Sequence, residues 1–151
     1  MRISAKADYA VRAALELAAS DGEPMKGEHI ADAQGIPLKF LENILQELRH
    51  AGVVRSQRGP EGGYRLARPA SEISLGEVIR AVDGPLASVR GEAPEDLAYD
   101  GSAAALRDVW VALRSSLRGV LDEVTLGEVA AGHLPAHVER LTRDPEAWTR
   151  R

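Results

Sequence analysis

Four polar side chains, Lys39, Glu42, Asn43 and Gln46, stand three, four and seven residues along from the first of them. On a helix that spacing gathers them on one face. They are the kinds of side chain that reach base edges and phosphates: an amide pairs with adenine, an ammonium with guanine or a phosphate, and a carboxylate accepts from cytosine. A second group follows closely. Residues 49–68 hold five arginines, at 49, 55, 58, 65 and 68, against the single acid Glu61. Arg58 opens the run Arg58-Gly59-Pro60-Glu61-Gly62-Gly63. An arginine at the tip of such a turn suits a narrow, electronegative minor groove, and the glycines permit positive φ and a close backbone approach.

Bond-making chemistry has no comparable set. The chain contains no cysteine, which excludes disulfides, thiolate-held iron–sulfur clusters and thiol catalysis. The glycine-rich run lacks the Gly-Lys-Ser/Thr ending of a phosphate loop, and no Gly-x-Ser-x-Gly elbow occurs. An enzyme reading therefore has no support. His133 and His137 have metal-friendly spacing, but Pro135 lies between them and no third ligand is evident, so they read as solvated. Glu92, Glu95, Asp96 and Asp100 could hold a hard cation; an acidic loop is the simpler explanation.

The elements that must position the polar face are legible around it. After Pro37, suited to a first helical turn, Leu41, Ile44, Leu45 and Leu48 follow i, i+3, i+4, i+7 and predict a buried face opposite the polar one. Gly52 ends that helix. Val53-Val54 and Tyr64-Arg65-Leu66 have strand composition on either side of the glycine-rich turn. Upstream, Ser4 caps a first helix through about Ala19, with Ala7, Ala10, Val11, Ala14, Leu15 and Ala18 as its inner stripe. A short helix over Glu28–Ala33, with Gly27 as a weak cap, and the turn Gln34-Gly35 complete a helix-turn-helix.

Downstream, Ser74-Leu75-Gly76-Glu77 reads as a capping box for a helix stopped at Asp83-Gly84-Pro85, and Thr125-Leu126-Gly127-Glu128 repeats the pattern. A helix of about 33 Å is expected over Ser102–Glu123. Leu106, Trp110, Leu113, Leu117, Val120 and Val124 form an a/d seam on it, broadened by Val109 and Leu121. The seam could pack on the first helix or on a second copy of itself, and its width allows both; a two-fold helix pair is favoured. In the polar tail from Gly132, Val138, Leu141 and Trp148 are candidates to dock.

Of the 151 residues, 44% are apolar, enough for one core. The apolar runs are too short for a membrane span and no leader opens the sequence, so a cytoplasmic protein is expected. The net charge of −4 is unevenly divided: residues 1–70 carry +1 and residues 71–151 carry −5. Positive charge concentrates on the helix end and hairpin, where phosphates would lie.

In order along the chain, Met1-Arg2-Ile3-Ser4-Ala5-Lys6, Asp8-Tyr9-Ala10, Gly35-Ile36-Pro37, Phe40-Leu41-Glu42, Leu48 to Ser56, Arg58-Gly59-Pro60, Gly62-Gly63-Tyr64, Val82-Asp83-Gly84 and Thr125 to Glu128 carry a family pattern. Over about residues 1–130 the sequence resembles the bacterial Rrf family of winged-helix transcription regulators. The resemblance implies a homodimer on an imperfect palindrome, with the Pro37 helix in the major groove and the hairpin wing beside the minor groove. By position Lys39, Glu42 and Asn43 match the family's recognition-helix contacts, and Arg58 its wing arginine. Gln46, Gly59, Tyr64, Arg2 and Lys6 join them as candidate DNA contacts, Tyr64 more as a brace for the wing than as a reader of bases. Cluster-binding members carry three cysteines in the loop before the long helix; residues 91–104 here have none. Some members use an acid near the N-terminus as a ligand, and Asp8 holds that place; without a thiolate beside it, a surface or inter-subunit contact is expected instead.

The expected fold is thus mainly α with a small β-hairpin wing: a winged helix-turn-helix domain over 1–84, a loop over 85–103, a dimerisation helix over 104–124 and a C-terminal helix and tail over 125–151. Leu106, Trp110, Leu113, Leu117, Val120, Leu121 and Val124 are the expected dimer interface. The expected partners are double-stranded DNA, a second copy, and a small-molecule effector or partner enzyme; no cofactor and no membrane are expected. An effector pocket is placed between the long helix and the DNA-binding half, near Trp110. The alternatives are a protein-interaction module that docks a metabolic enzyme, and a metal-responsive regulator using Asp8, the acidic loop or the two tail histidines.

Overall fold

In a computed structural model describing residues 1–151, the chain forms seven α-helices and one two-stranded antiparallel sheet. Helix α1 (Ala5–Ala19) starts where Ser4 leaves the extended region and its hydroxyl accepts from the Ala7 amide. Its buried residues are Ala7, Ala10, Ala13, Ala14 and Leu17. The expected stripe is therefore rotated: Ala13 and Leu17 turn inward, and Val11, Leu15 and Ala18 are half-buried. The small alanines let neighbouring helices approach from more than one side, which an amphipathic pattern alone does not locate.

Helix α2 (Gly27–Gln34) ends at Gly35, whose φ of 62° supplies the left-handed turn into α3 (Leu38–His50). Pro37 sits just outside α3 as its N-cap rather than within the first turn. Leu41, Ile44, Leu45 and Leu48 are all at most 1% exposed, so the expected inner face is the observed one. Strands β1 (Val54–Gln57) and β2 (Gly63–Leu66) pair with Val54 opposite Leu66 and Gln57 opposite Gly63. The wing is held to the body at its base, where Met25 and Tyr64 exchange two backbone hydrogen bonds of 2.8 Å each.

Helix α4 (Leu75–Asp83) is capped by the Ser74 hydroxyl, which accepts from the Glu77 amide. Only half of the expected capping box forms, because the Glu77 carboxylate pairs with Arg68 instead. The loop after α4 contains two single 3-10 turns, Pro94–Asp96 and Gly101–Ala103. Helix α5 runs Leu106–Leu121, 16 residues or about 24 Å, shorter than expected at both ends. Below it, the bidentate Arg80–Asp122 pair joins α4 to the end of α5.

The chain then returns to the first core. The Leu75 amide donates to the Val124 carbonyl and the Leu126 amide to the Ile73 carbonyl, both at 2.9 Å. Thr125 and Glu128 form the complete capping box of α6 (Leu126–Ala131). Leu126 is fully buried in the cluster that holds Leu17, Ile44, Leu48 and Val78, so the core of the DNA-binding half extends beyond residue 84. Val124 corrects an expectation. It lies past the end of α5 and is 2% exposed inside this one chain, so it is not available to a partner. Helix α7 (Ala136–Arg143) and a 3-10 turn, Pro145–Trp148, form the tail; Val138 docks, while Leu141 and Trp148 stay exposed.

Candidate nucleic-acid interface

Helix α3 carries a face with nothing else to do. Lys39, Glu42, Asn43 and Gln46 are all exposed on it, and none makes a side-chain hydrogen bond or ion pair within the chain. Buried leucine and isoleucine on the opposite face fix the helix, so these groups project from a rigid support. The support extends into α1. Phe40, next to Lys39, meets the Tyr9 ring edge-on at 5.7 Å, and the Arg12 guanidinium lies 4.9 Å over that ring. Arg12 also donates to the Gln34 carbonyl at the helix-turn-helix corner (3.0 Å) and pairs with Asp8 (3.1 Å). Asp8 is thus engaged within its own subunit.

Lys6 and Arg2 separate. Lys6 shares a shallow cleft with Phe40, Asn43 and Gln46, but its ammonium is paired with Glu47 of α3 at 2.8 Å. It braces the helix and has no free charge for a phosphate in this arrangement. Arg2 is carried away from α3 altogether, to the rim of a groove against α5.

On the wing, Arg58 is exposed and unpaired at the start of the turn, and Gly59 takes φ 105°. Gly62 and Gly63 are demanded by contact: a Cβ at Gly62 would run into the Gln57 carbonyl, and one at Gly63 would stand 2.5 Å from the Met25 oxygen. Tyr64 is half-buried at the wing base, where it braces rather than reads. Arg55 and Arg65, absent from the sequence-based site, are directly opposed across the two strands and both exposed. Like charges in that register repel each other unless an anion lies over them. Strand register was the missing signal, since composition alone left the arginines unplaced. A free polar helix face and a wing with three unpaired arginines together form a surface for a polyanion with readable edges.

The comparisons with known proteins agree. Residues 3–132 match the family described as Rrf2, iron-dependent transcriptional regulator. The chain belongs to the Rrf2 family. A helix-turn-helix-type transcriptional regulator of Mycobacterium tuberculosis is 56% identical over 148 residues, covering 97% of this chain and 92% of that one. IscR of Photobacterium profundum is 40% identical over 131 residues, 85% and 75% of the two chains. Among solved structures, CymR, the global cysteine regulator of Bacillus subtilis, superposes with a TM-score of 0.74 at 32% identity, over 87% of this chain and 98% of that one. The IscR structure from T. potens gives 0.67 at 31%, over 100% and 93%. This Rrf2 protein is therefore a DNA-binding transcriptional regulator of winged helix-turn-helix fold, and not an enzyme. No helix in it is long and apolar enough to cross a membrane.

The family description implies iron, and the residues of this chain do not fit it. The segment before α5 has no thiolate, and no three His, Asp or Glu side chains converge anywhere in the fold. Apolar residues and an ion pair hold that segment instead. Pro94 and Leu97 are buried, Trp110 Nε1–H donates to the Tyr99 hydroxyl at 3.2 Å, and Glu95 pairs with Arg114 of α5. The tail histidines do not converge either; His137 Nε2 is bonded to the Gly119 carbonyl at 2.9 Å.

The Glu95 carboxylate is held below its ordinary pKa, first by a hydrogen bond from its own backbone amide and then by Arg114. A depressed carboxylate stabilises the fold above the unfolded pKa and loses that contribution as pH falls through the folded one. Protection of the amides of residues 95–99, taken relative to the intrinsic exchange rate at each pH, should thus fall below the usual glutamate range, and Glu95→Gln should lower it at neutral pH and remove the acid dependence. Equal exchange in both proteins would show that the ion pair does not hold the loop.

Proposed function

We propose that this Rrf2 protein is a cytoplasmic, homodimeric repressor that binds a palindromic operator without an iron–sulfur cluster and responds to a small molecule or a partner protein. Each subunit sets α3 into a major groove, where Asn43, Lys39, Glu42 and Gln46 meet base edges, and lays Arg58 along the adjacent minor groove. The observation that carries the reading is the set of unengaged polar side chains on α3 beside the unpaired wing arginines.

The long helix supports the dimer. None of its residues is buried in the single chain, although Leu106, Val109, Trp110, Leu113, Leu117, Val120 and Leu121 run along it. Val109 remains 54% exposed. A ridge of that length, with none of its residues fully buried, has room for its counterpart on a second subunit.

Band-shift titration against the promoter of the protein's own gene tests the reading. Binding should be sequence-selective and should weaken steeply with salt, as phosphate contacts release counterions. Arg58→Ala should cost about 1–3 kcal/mol of operator affinity. Selective binding that is indifferent to Arg58 would remove the wing from the interface. No salt-sensitive, selective binding under any condition would leave the fold as a docking module for another protein.

A further inference from the structure

One large apolar side chain breaks the polar pattern of the DNA-binding half. Phe40 is the third residue of α3 and the only phenylalanine in the chain, and it is 44% exposed. The other large apolar residues left open lie at the N-terminus (Met1 and Ile3), on α5 (Val109) or in the tail (Leu134, Leu141 and Trp148). Between residues 4 and 108, Phe40 stands alone. Its ring is open but not loose. It meets Tyr9 of α1 edge-on, centroids 5.7 Å apart, and Arg12, 4.9 Å over that tyrosine, pins it in turn. The same ring lines a shallow cleft together with Asn43 and Gln46, the two free amides of α3. Lys6 and Glu47 also line the cleft, but they neutralise each other at 2.8 Å, so no unpaired charge competes for it. A ring fixed by its neighbours yet left to water forgoes the stabilisation that full burial would supply, unless something apolar covers it in a complex.

We propose that Phe40 reads the 5-methyl group of a thymine in the major groove. The chemistry of the groove decides the occupant. A double helix presents phosphates, hydrogen-bonding base edges and one apolar group, the thymine methyl, which a phenylalanine can contact. The ring has no hydrogen bond to offer the first two, so the methyl is its one complement there. Its placement agrees. The N-terminal residues of a recognition helix are the ones that meet base edges, and Phe40 lies in the first turn of α3. Asn43, one turn on and in the same cleft, carries the amide suited to adenine. Because Tyr9 already holds the ring, the contact orders no loose side chain and costs little rotamer freedom. The inference rests on the DNA-binding reading and deepens it, giving a base preference to a residue that makes no hydrogen bond to a base.

The test uses the full chain and duplexes from the promoter of its own gene, cut to the footprint that the protein protects. Each thymine in the footprint is replaced in turn by deoxyuridine, which keeps every hydrogen-bonding edge and removes only the methyl group. At least one replacement should raise the Kd of the parent protein about threefold to fivefold, the scale of one buried methyl. With Phe40→Ala the same replacement should have no effect, whereas Asn43→Ala should keep it, which separates loss of the ring from weaker binding in general. A measurement without any variant stands beside these: 5-iododeoxyuridine at the sensitive thymine, irradiated in the complex, should cross-link to Phe40. Selective binding by a parent protein to which no thymine methyl matters would overturn the proposal and leave the DNA reading standing. A cross-link to another residue would also overturn it. So would Phe40→Ala binding every duplex more weakly by one common factor with the methyl effect intact, since the ring would then be a prop for α3. Absence of selective binding by the parent protein would refute the DNA reading and this contact together.

Discussion

Val109→Glu should convert the protein to monomers and lower operator affinity by about 10²–10⁴-fold, because two half-site contacts then no longer share one linked body. Val109 lies near the start of α5. It is the most exposed large apolar side chain on α5, outside the groove, and no residue of α5 is buried in the single chain. A glutamate there costs a lone subunit little, since its carboxylate reaches solvent. In a two-fold helix pair the same carboxylate would be desolvated close to its symmetry mate, where like charge and lost hydration oppose association together. Sedimentation velocity should show half the mass with an unchanged circular dichroism spectrum. A dimer that survives the substitution, or a monomer that binds the operator as tightly as the parent, would refute the helix-pair arrangement.

How far the sequence speaks for itself differs between the halves of the molecule. In α3 the buried set Leu41, Ile44, Leu45 and Leu48 and the free set Lys39, Glu42, Asn43 and Gln46 follow from one helical period, and the structure keeps both. The caps at Ser4 and Thr125 are equally local: each needs only a hydroxyl and an amide three residues on. What escaped is set by partners distant in sequence. Lys6 looked free until Glu47, 41 residues away, took its charge. Val124 looked like the last step of a heptad seam until the Arg80–Asp122 pair and the strand-like contact between Ser74 and Thr125 drew it into the core. The long helix was overestimated for a related reason. Its alanine-rich approach favours helix locally, but the chain before it is tied down by Leu97, Tyr99 and Glu95 and enters α5 only at Leu106.

The wing depends on backbone contact in the same non-local way, and Gly63→Ala should therefore be among the most damaging single-methyl changes in the DNA-binding half. At φ 153° an L side chain is strained wherever it points, and here its Cβ would lie 2.5 Å from the Met25 carbonyl oxygen and 2.6 Å from its carbon. Neither is a flexible side-chain tip; both belong to the backbone that exchanges hydrogen bonds with Tyr64. Backbone strain and overpacking of this kind each cost about 1–3 kcal/mol, and relief can come only by parting the wing from the segment before α2. Parting it gives up the two 2.8 Å hydrogen bonds and frees the strand pair that aims Arg58 and opposes Arg55 to Arg65. Operator affinity should then fall further than with Arg58→Ala, since one change removes a side chain and the other removes the placement of three. Amide exchange should rise most at Met25 and Tyr64 and less along α3, which is also held by α1 and α4. If Gly63→Ala melts α3 along with the wing, the hairpin is part of the core rather than an arm attached to it. If it leaves operator affinity unchanged, the wing does not touch DNA.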